Sequence, residues 1–277
     1  SRQRRVKSED PDMSLPPPPA DLEARHPHRH DRAFAYLRHL LLDGGLEPGQ
    51  AISSEGVAAA LSISRAPVTD AIKRLVGDGF LTVIPQVGCR VNTPGARDVA
   101  DFFRLFARSE AVILGLAAER RSAGQAEALV RLAADLDRDF RDLRKTAAAG
   151  PALRALNRQR YEALHVIAAS PIAGDLVANM WDRSDFYIRI AYGAFVQSAA
   201  VHRANQAICR AVIAGDAAAT MAVTEDYLAK VGEAVAEKLA ADQPSQTIAL
   251  GLDPRAHSAS RTAGRSRRNG SSGQAQG

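Results

Sequence analysis

The sequence is poor in cysteine and contains no long apolar run. Its 277 residues include two cysteines, Cys89 and Cys209, which cannot form a disulfide framework or a zinc finger. No uncharged apolar run approaches the ~18 residues that a membrane span requires, so a membrane span is excluded. The Arg-rich start lacks the hydrophobic region of a secretory signal, and we therefore expect a cytoplasmic protein.

Sequence signatures of catalysis are missing as well. The chain has no glycine-rich phosphate loop, no nucleophile elbow and no array of Cys and His at metal-ligand spacing. We therefore expect that it is not an enzyme and holds no cofactor. Aromatic residues make up only 5% of the chain, so its 46% apolar content is mostly aliphatic, which favours a mainly α fold.

The positive charge of the chain is concentrated at its C-terminal end. The sequence has 36 Lys and Arg against 31 Asp and Glu, a net charge of +5, and residues 243–277 alone contain five Arg and one Asp. The net charge therefore does not by itself predict a nucleic-acid surface on the folded part. We expect this C-terminal tail to be disordered, and its arginines either are inert or contact DNA phosphates non-specifically.

Composition and periodicity divide the rest of the chain into three parts. Residues 1–30 contain a run of four prolines and a cluster of charged and His residues, and they are predicted to be a disordered leader. Residues 31–95 mix short helical patterns with two β-type runs. Residues 96–242 show only helical patterns and predict a bundle of about six helices, at 97–121, 123–148, 151–168, 171–195, 199–214 and 217–241.

Residues 31–95 have the layout of a winged helix-turn-helix. A helix is predicted from Arg32 to Asp43, and a second short helix follows Ser53. A third is predicted from Arg65 to Asp78, with Ser64 as its N-cap and Pro67 in its first turn. Two β-type runs then form the predicted hairpin, namely Phe80–Ile84 and Cys89–Val91. Two short helices joined by a tight turn and followed by a hairpin are typical of this DNA-binding architecture.

The same residues carry a specific resemblance. The segments Leu46-Glu-Pro-Gly-Gln, Leu61-Ser-Ile-Ser-Arg-Ala-Pro-Val and Gly79-Phe-Leu resemble the DNA-binding domain of the GntR family of bacterial transcription regulators. The resemblance implies that the third helix enters the major groove and that the wing tip reaches the neighbouring minor groove. The positions that it implies for DNA contact are Arg38, Ser64, Arg65, Ala66, Pro67, Thr69, Lys73, Arg74, Gln86 and Gly88.

The resemblance also implies roles for some of these residues. Arg65 would be the main base reader, because an arginine can pair with a guanine edge through two hydrogen bonds. Arg38 and Ser64 would hold phosphates, and Gly88 would let the wing backbone approach the DNA. The family usually has an arginine where this chain has Thr69, so we expect an altered operator sequence or one fewer base contact.

The helical part resembles the FCD effector-binding domain of the FadR subfamily. The matching segments are Ser109-Glu110, Leu116-Ala-Ala118, Ala168-Ala-Ser-Pro171 and Ile208 to Asp216. Many members of that subfamily bind a divalent metal through one Asp and three His, and an Arg helps to hold a carboxylate effector. The residues at those five positions of this chain are Asn157, Tyr161, Asn205, Tyr227 and Phe106. Amides and phenols are poor replacements for imidazole and carboxylate, so we predict no metal.

These five positions would still converge in the same fold. Together they would form an apolar pocket with neutral hydrogen-bonding groups, which favours a neutral, aromatic or acyl-type effector over a small dicarboxylate. The alternative is that the aromatic side chains fill the space and that no effector exists.

The sequence as a whole therefore predicts a ligand-responsive transcription regulator. We expect a homodimer that binds a palindromic double-stranded DNA operator, that is controlled by a small organic effector, and that acts as a repressor. The alternative is an architectural DNA-binding dimer whose helical pocket is vestigial.

Overall fold

The structure is a computed structural model that describes residues 15–85, 88–146 and 149–242, all within one compact unit that ends at Asp242. The predicted tail at 243–277, the first fourteen residues of the predicted leader and Gln86 lie outside the described residues. The described part contains ten helices and three strands. In chain order these are α1 Leu22–Arg25, α2 Arg29–Asp43, β1 Ala51–Ile52, α3 Ser54–Leu61, α4 Arg65–Gly77, β2 Leu81–Ile84, β3 Gly88–Val91, α5 Ala96–Arg120, α6 Ala123–Leu143, α7 Gly150–Ala168, α8 Pro171–Tyr192, α9 Ala199–Ala214 and α10 Ala217–Asp242.

The first domain, α2 to β3, is a winged helix-turn-helix, as the sequence predicts. α2 buries one apolar face and ends at Gly44, whose left-handed backbone (φ +90°) suits a residue without a side chain. α3 begins after Ser53, whose hydroxyl accepts a hydrogen bond from the Gly56 N–H. α4 packs on α2 through the buried side chains of Val68 and Leu75.

The wing is a small antiparallel sheet in the order β1-β3-β2. β2 and β3 form the predicted hairpin, with Leu81 opposite Val91 and Ile84 opposite Gly88. The two-residue strand β1 was not predicted, because two residues are too few to show an alternating pattern. It pairs with β3 and so ties the turn before α3 to the wing.

The prediction of a disordered leader is wrong for residues 15–30. Leu22 is buried, the Tyr36 hydroxyl donates a hydrogen bond to the Pro16 carbonyl, and α2 already begins at Arg29. Composition alone predicts disorder in such a segment, but α2 supplies an apolar and hydrogen-bonding surface on which these residues order.

The second domain, α5 to α10, is the predicted bundle of six helices. α5 and α10 run in close contact, and a Cβ on Gly232 would lie 2.3 Å from the Cβ of Phe103, so this approach requires glycine. A capping box between Ser122 and Gln125 starts α6. α6 ends at Leu143 and α8 at Tyr192, each earlier than predicted. No helix in the described part is long and apolar enough to cross a membrane.

Candidate functional site

The outward face of α4 brings together most of the residues predicted to contact DNA. Five of the residues predicted to contact DNA are exposed there, while Val68, Ala71 and Leu75 of the same helix are buried. The exposed set is Arg65, Ala66, Thr69, Lys73 and Arg74. Ser64 is the N-cap residue, but its hydroxyl makes no capping hydrogen bond, so the helix does not use it. An exposed helix N-terminus with a hydroxyl and a guanidinium beside it can bind phosphate and base edges.

The charged side chains on this face have only weak partners. Arg65 pairs with Glu55 at 2.8 Å, and both side chains are more than half exposed. Lys73 lies 3.3 Å from Asp70, which is also exposed. Solvent-exposed pairs of this kind contribute little to stability, so a nucleic acid can displace them at small cost.

Two of the predicted contact residues also pack against the rest of the domain. The Arg74 guanidinium lies over the Phe34 ring of α2, 3.8 Å from its centroid, and so helps to hold α4 on α2. Pro67 is buried, because the first turn of α4 points its ring into the domain. The Arg74 side chain is still 60% exposed, but Arg65 and Lys73 are the cations of α4 without such an aromatic contact.

The wing offers a second exposed surface. Gly88 is exposed and has a φ of +118°, which L side chains rarely adopt, so the turn into β3 requires glycine. Val83 and Ile84 of β2 are also exposed. The sequence analysis did not identify them, because burial does not alternate along this strand: Leu81 is buried and the next three residues are exposed.

Arg38 lies away from the α4 face, at the contact between the two domains. Its guanidinium forms a two-point ion pair with Asp182 of α8, with a 2.5 Å hydrogen bond from Nε. Arg158 of α7 bridges Asp182, at 2.6 Å, and the buried Asp185, at 3.1 Å. We call Arg38, Asp182, Arg158 and Asp185 the interdomain relay.

Other contacts fix the same interface. Arg154 of α7 donates to both carboxylate oxygens of Asp43, at 2.8 and 2.9 Å. The buried Arg189 of α8 donates to the Leu46 carbonyl at 2.6 Å, in the loop that follows α2. These bonds join α7 and α8 directly to the helix-turn-helix.

Within the helical domain, three of the five predicted pocket residues form one buried hydrogen-bonded chain. The Tyr161 hydroxyl donates to Asn205 at 2.8 Å, and the Asn205 amide donates to Asn157 at 3.0 Å. Tyr227 is buried near Tyr161, and burial raises the pKa of both phenols above the ordinary value. Phe106 joins the group through the Trp181 ring, 4.9 Å away between centroids.

This donor set does not suit a divalent metal. The Tyr161 hydroxyl and the two amides bond one another, and none of these three residues or Tyr227 is an imidazole or a carboxylate. Across the described ranges, no three His, Cys, Asp or Glu side chains are grouped so that they could hold a metal ion.

A cavity of about 500 Å³ lies beside this chain, between α8, α9 and α10. Of the predicted pocket residues, Asn157 and Tyr227 line it, whereas Phe106, Tyr161 and Asn205 lie outside its wall. α8 supplies a stripe to the cavity wall, and it consists of Trp181, Ser184, Asp185, Ile188 and Tyr192. The three- and four-residue spacing of this stripe was the signal available in the sequence.

Asp185 is the acidic group deep in this wall. Burial raises its pKa to about 6, although the nearby Arg158 guanidinium opposes the shift. Its side chain lines the cavity and is also a member of the interdomain relay. α8 thus lines the cavity on one face and contacts the helix-turn-helix on another, through Asp182 and Arg189.

Comparison with known proteins agrees with this two-domain layout. Residues 29–91 match the family described as bacterial regulatory proteins, gntR family, and residues 107–230 match the FCD domain. The described architecture therefore carries both domains in the order that the sequence analysis predicts.

Individual relatives are more distant. An uncharacterised HTH-type transcriptional regulator in an unstable DNA locus of Streptomyces ambofaciens is 38% identical over 84 residues, which are 30% of this chain and 34% of the relative. The HTH-type transcriptional repressor GlaR of Escherichia coli is 24% identical over 87 residues, 31% of this chain and 40% of the relative. The chain thus matches well under two thirds of the length of these relatives.

Among solved structures, Escherichia coli McbR/YncC has the same fold. It superposes with a TM-score of 0.60 and 22% identity, covering 77% of this chain and 98% of its own.

Proposed function

The chain belongs to the GntR family of transcription regulators that carry an FCD domain, and from this premise we propose that it is a homodimeric repressor controlled by a small organic effector. The observation that supports DNA binding is the exposed face of α4. The Ser64 hydroxyl makes no capping hydrogen bond there, and Arg65 and Lys73 are held only by weak surface ion pairs. A dimer would present two such faces, which suits a palindromic operator.

Selection from a random double-stranded DNA library tests this proposal. We expect the full-length protein to enrich one inverted repeat, and sedimentation to give a dimer on that sequence. Affinity should fall steeply as salt concentration rises, because phosphate contacts release counterions. Recovery of sequences without a shared motif would instead favour the architectural alternative.

The effector part of the proposal depends on the position of the cavity. Asp185 is in its wall, and the interdomain relay runs from Asp185 through Arg158 and Asp182 to Arg38 of the helix-turn-helix. A ligand that changes the position of Asp185 would therefore change the ion pair that holds Arg38. This gives the effector a physical route to the DNA-binding domain, which is a shift between two populations of the dimer.

Arg38 has two competing partners in this proposal, a DNA phosphate and Asp182. We expect Asp182→Asn to raise operator affinity by about three- to tenfold, because Arg38 no longer leaves a charged partner when it binds phosphate. Fluorescence anisotropy with the selected operator at fixed salt measures the change.

A double-mutant cycle provides the control for Asp182. In an Arg38→Gln background the Asp182→Asn substitution should leave operator affinity unchanged, since the two residues act through one contact. Equal gains in both backgrounds would contradict the competition and place the effect of Asp182 elsewhere.

A further inference from the structure

The first turn of α2 lies beside the exposed face of α4. His30 Nδ1 is 3.7 Å from a carboxylate oxygen of Asp70, and one helical turn further along both helices the Arg74 guanidinium lies over the Phe34 ring. Because the two contacts follow each other in the same order on both helices, α2 and α4 run in the same direction where they touch. The start of α2 is therefore level with the first two turns of α4, which present the exposed Arg65.

Arg29, the first residue of α2, is a cation without an internal partner. It is exposed, and its side chain forms no salt bridge or hydrogen bond with any group in the described part of the chain. The arginines on either side of it are paired, Arg25 with Asp21 and Arg32 with Glu23, each at 2.7 Å. Arg29 therefore keeps its hydrogen-bonding capacity for a molecule outside the domain.

The acidic groups near this turn are exposed and only weakly engaged. The Asp70 side chain is 54% exposed and lies between His30 of α2, at 3.7 Å, and Lys73 of α4, at 3.3 Å. Asp31, the next acid along α2, is also exposed and forms no ion pair within the described ranges. Exposed pairs of this kind are worth little in water, so a polyanion can take the place of Asp70 at small cost.

We infer that the DNA interface continues from α4 onto the first turn of α2, where Arg29 binds a backbone phosphate next to the base pairs that Arg65 reads. This inference rests on the proposed DNA-binding function and adds to it a residue that positions the protein on the duplex. A guanidinium can bind a phosphate through two parallel hydrogen bonds, and Arg29 can do so without first breaking an ion pair. Phosphate contacts fix register but carry no sequence information, so Arg29 contributes affinity for any duplex.

Arg29→Ala tests the inference in the full-length protein. We expect affinity for the selected operator and for a scrambled duplex to fall by the same factor, about three- to tenfold at about 0.1 M salt. The slope of log affinity against log salt concentration should decrease in magnitude by about one, because one fewer phosphate is neutralised. Fluorescence anisotropy over a salt series measures both quantities. Unchanged affinity, or a loss confined to the operator, would overturn the inference.

Neutral phosphates locate the contact directly. Each of a set of operator duplexes carries one methylphosphonate and so lacks a single backbone charge. The substitution that weakens binding of the wild type but not of Arg29→Ala marks the phosphate that Arg29 binds, since the two changes then act through one contact. If every methylphosphonate weakened binding of the two proteins equally, Arg29 would make no phosphate contact.

Asp70→Asn changes the charge of the same junction in the opposite direction. It removes a carboxylate that would face the DNA backbone and it frees Lys73, so affinity for both duplexes should rise by about twofold or more. Arg131→Ala, at an exposed position of α6, is the control and should change neither affinity. No change or a fall on Asp70→Asn would contradict a phosphate at the contact between α2 and α4.

Failure of this inference and failure of the proposed function give different results. Sequence-selective binding by the wild type with an unchanged affinity of Arg29→Ala would disprove only the α2 contact. Absence of sequence-selective DNA binding by the wild type would disprove the regulator itself. Arg29 and Asp70 are both exposed, so both variants should unfold at the wild-type temperature, which calorimetry checks on the same samples.

Discussion

Arg65→Ala is expected to lower operator affinity by at least about tenfold, which is the largest effect we expect from any single side chain of the DNA-binding domain. Arg65 is the first residue of α4, it is exposed, and its ion pair with Glu55 is a weak surface contact. A bidentate bond to a guanine is worth about 1–3 kcal/mol of discrimination, so its loss should appear as lost sequence preference. Anisotropy with the selected operator and with a scrambled sequence measures both affinities.

Two further variants separate base reading from charge. Arg65→Lys keeps the charge but loses the planar fork, so it should retain the salt dependence of binding while losing preference for the operator. Arg131→Ala, at an exposed position of α6, should leave both affinities unchanged. If Arg65→Ala weakened operator and scrambled DNA equally, Arg65 would be a phosphate contact and not a base reader.

The elements that carry this interface could be predicted from the sequence because each has a strong local signal. Ser53 and Gly44 mark helix ends, and the apolar spacing of Val68 and Leu75 fixes which side of α4 is exposed. Local signals fail where a partner distant in sequence decides the outcome. Leu22 reads as part of a polar, proline-rich leader, and only α2 gives it a surface on which to be buried.

The proposed effector site shows the same limit more clearly. The resemblance identified Asn157, Tyr161 and Asn205, and the structure brings them into one hydrogen-bonded chain. The cavity lies beside that chain, because its wall depends on how α8 packs against α9 and α10. Asp182 and Asp185 look in sequence like a charged helix face, and only the docking of the two domains makes them part of the interdomain relay.

One buried charge in this region could not be recognised from sequence either. Arg160 follows the polar pattern of α7, yet its side chain is 2% exposed in the middle of the bundle. It forms no salt bridge with any carboxylate in the described ranges, and its Nη1 has no hydrogen-bond partner. Burial raises the pKa of the neighbouring Cys209, and the positive charge of Arg160 opposes that shift. The guanidinium is thus desolvated without a full set of partners.

Arg160→Met is therefore expected to stabilise the protein. Replacing a buried, poorly paired charge by an apolar side chain of similar length is often stabilising by about 1–4 kcal/mol, since the cost of desolvating the charge is removed. For a chain of this size each kcal/mol corresponds to about 2–4 °C in the midpoint of thermal unfolding. Calorimetry of the apo protein measures the shift, and Arg210→Met, exposed on α9, is the matched control with an expected change near zero.

The opposite outcome would have a definite meaning. A loss of more than about 1 kcal/mol on Arg160→Met would show that the guanidinium is well satisfied in solution, by an anion or by a carboxylate that moves to meet it. A gain in stability would show that the fold does not need the guanidinium. That result would agree with the lack of a partner for its Nη1 atom.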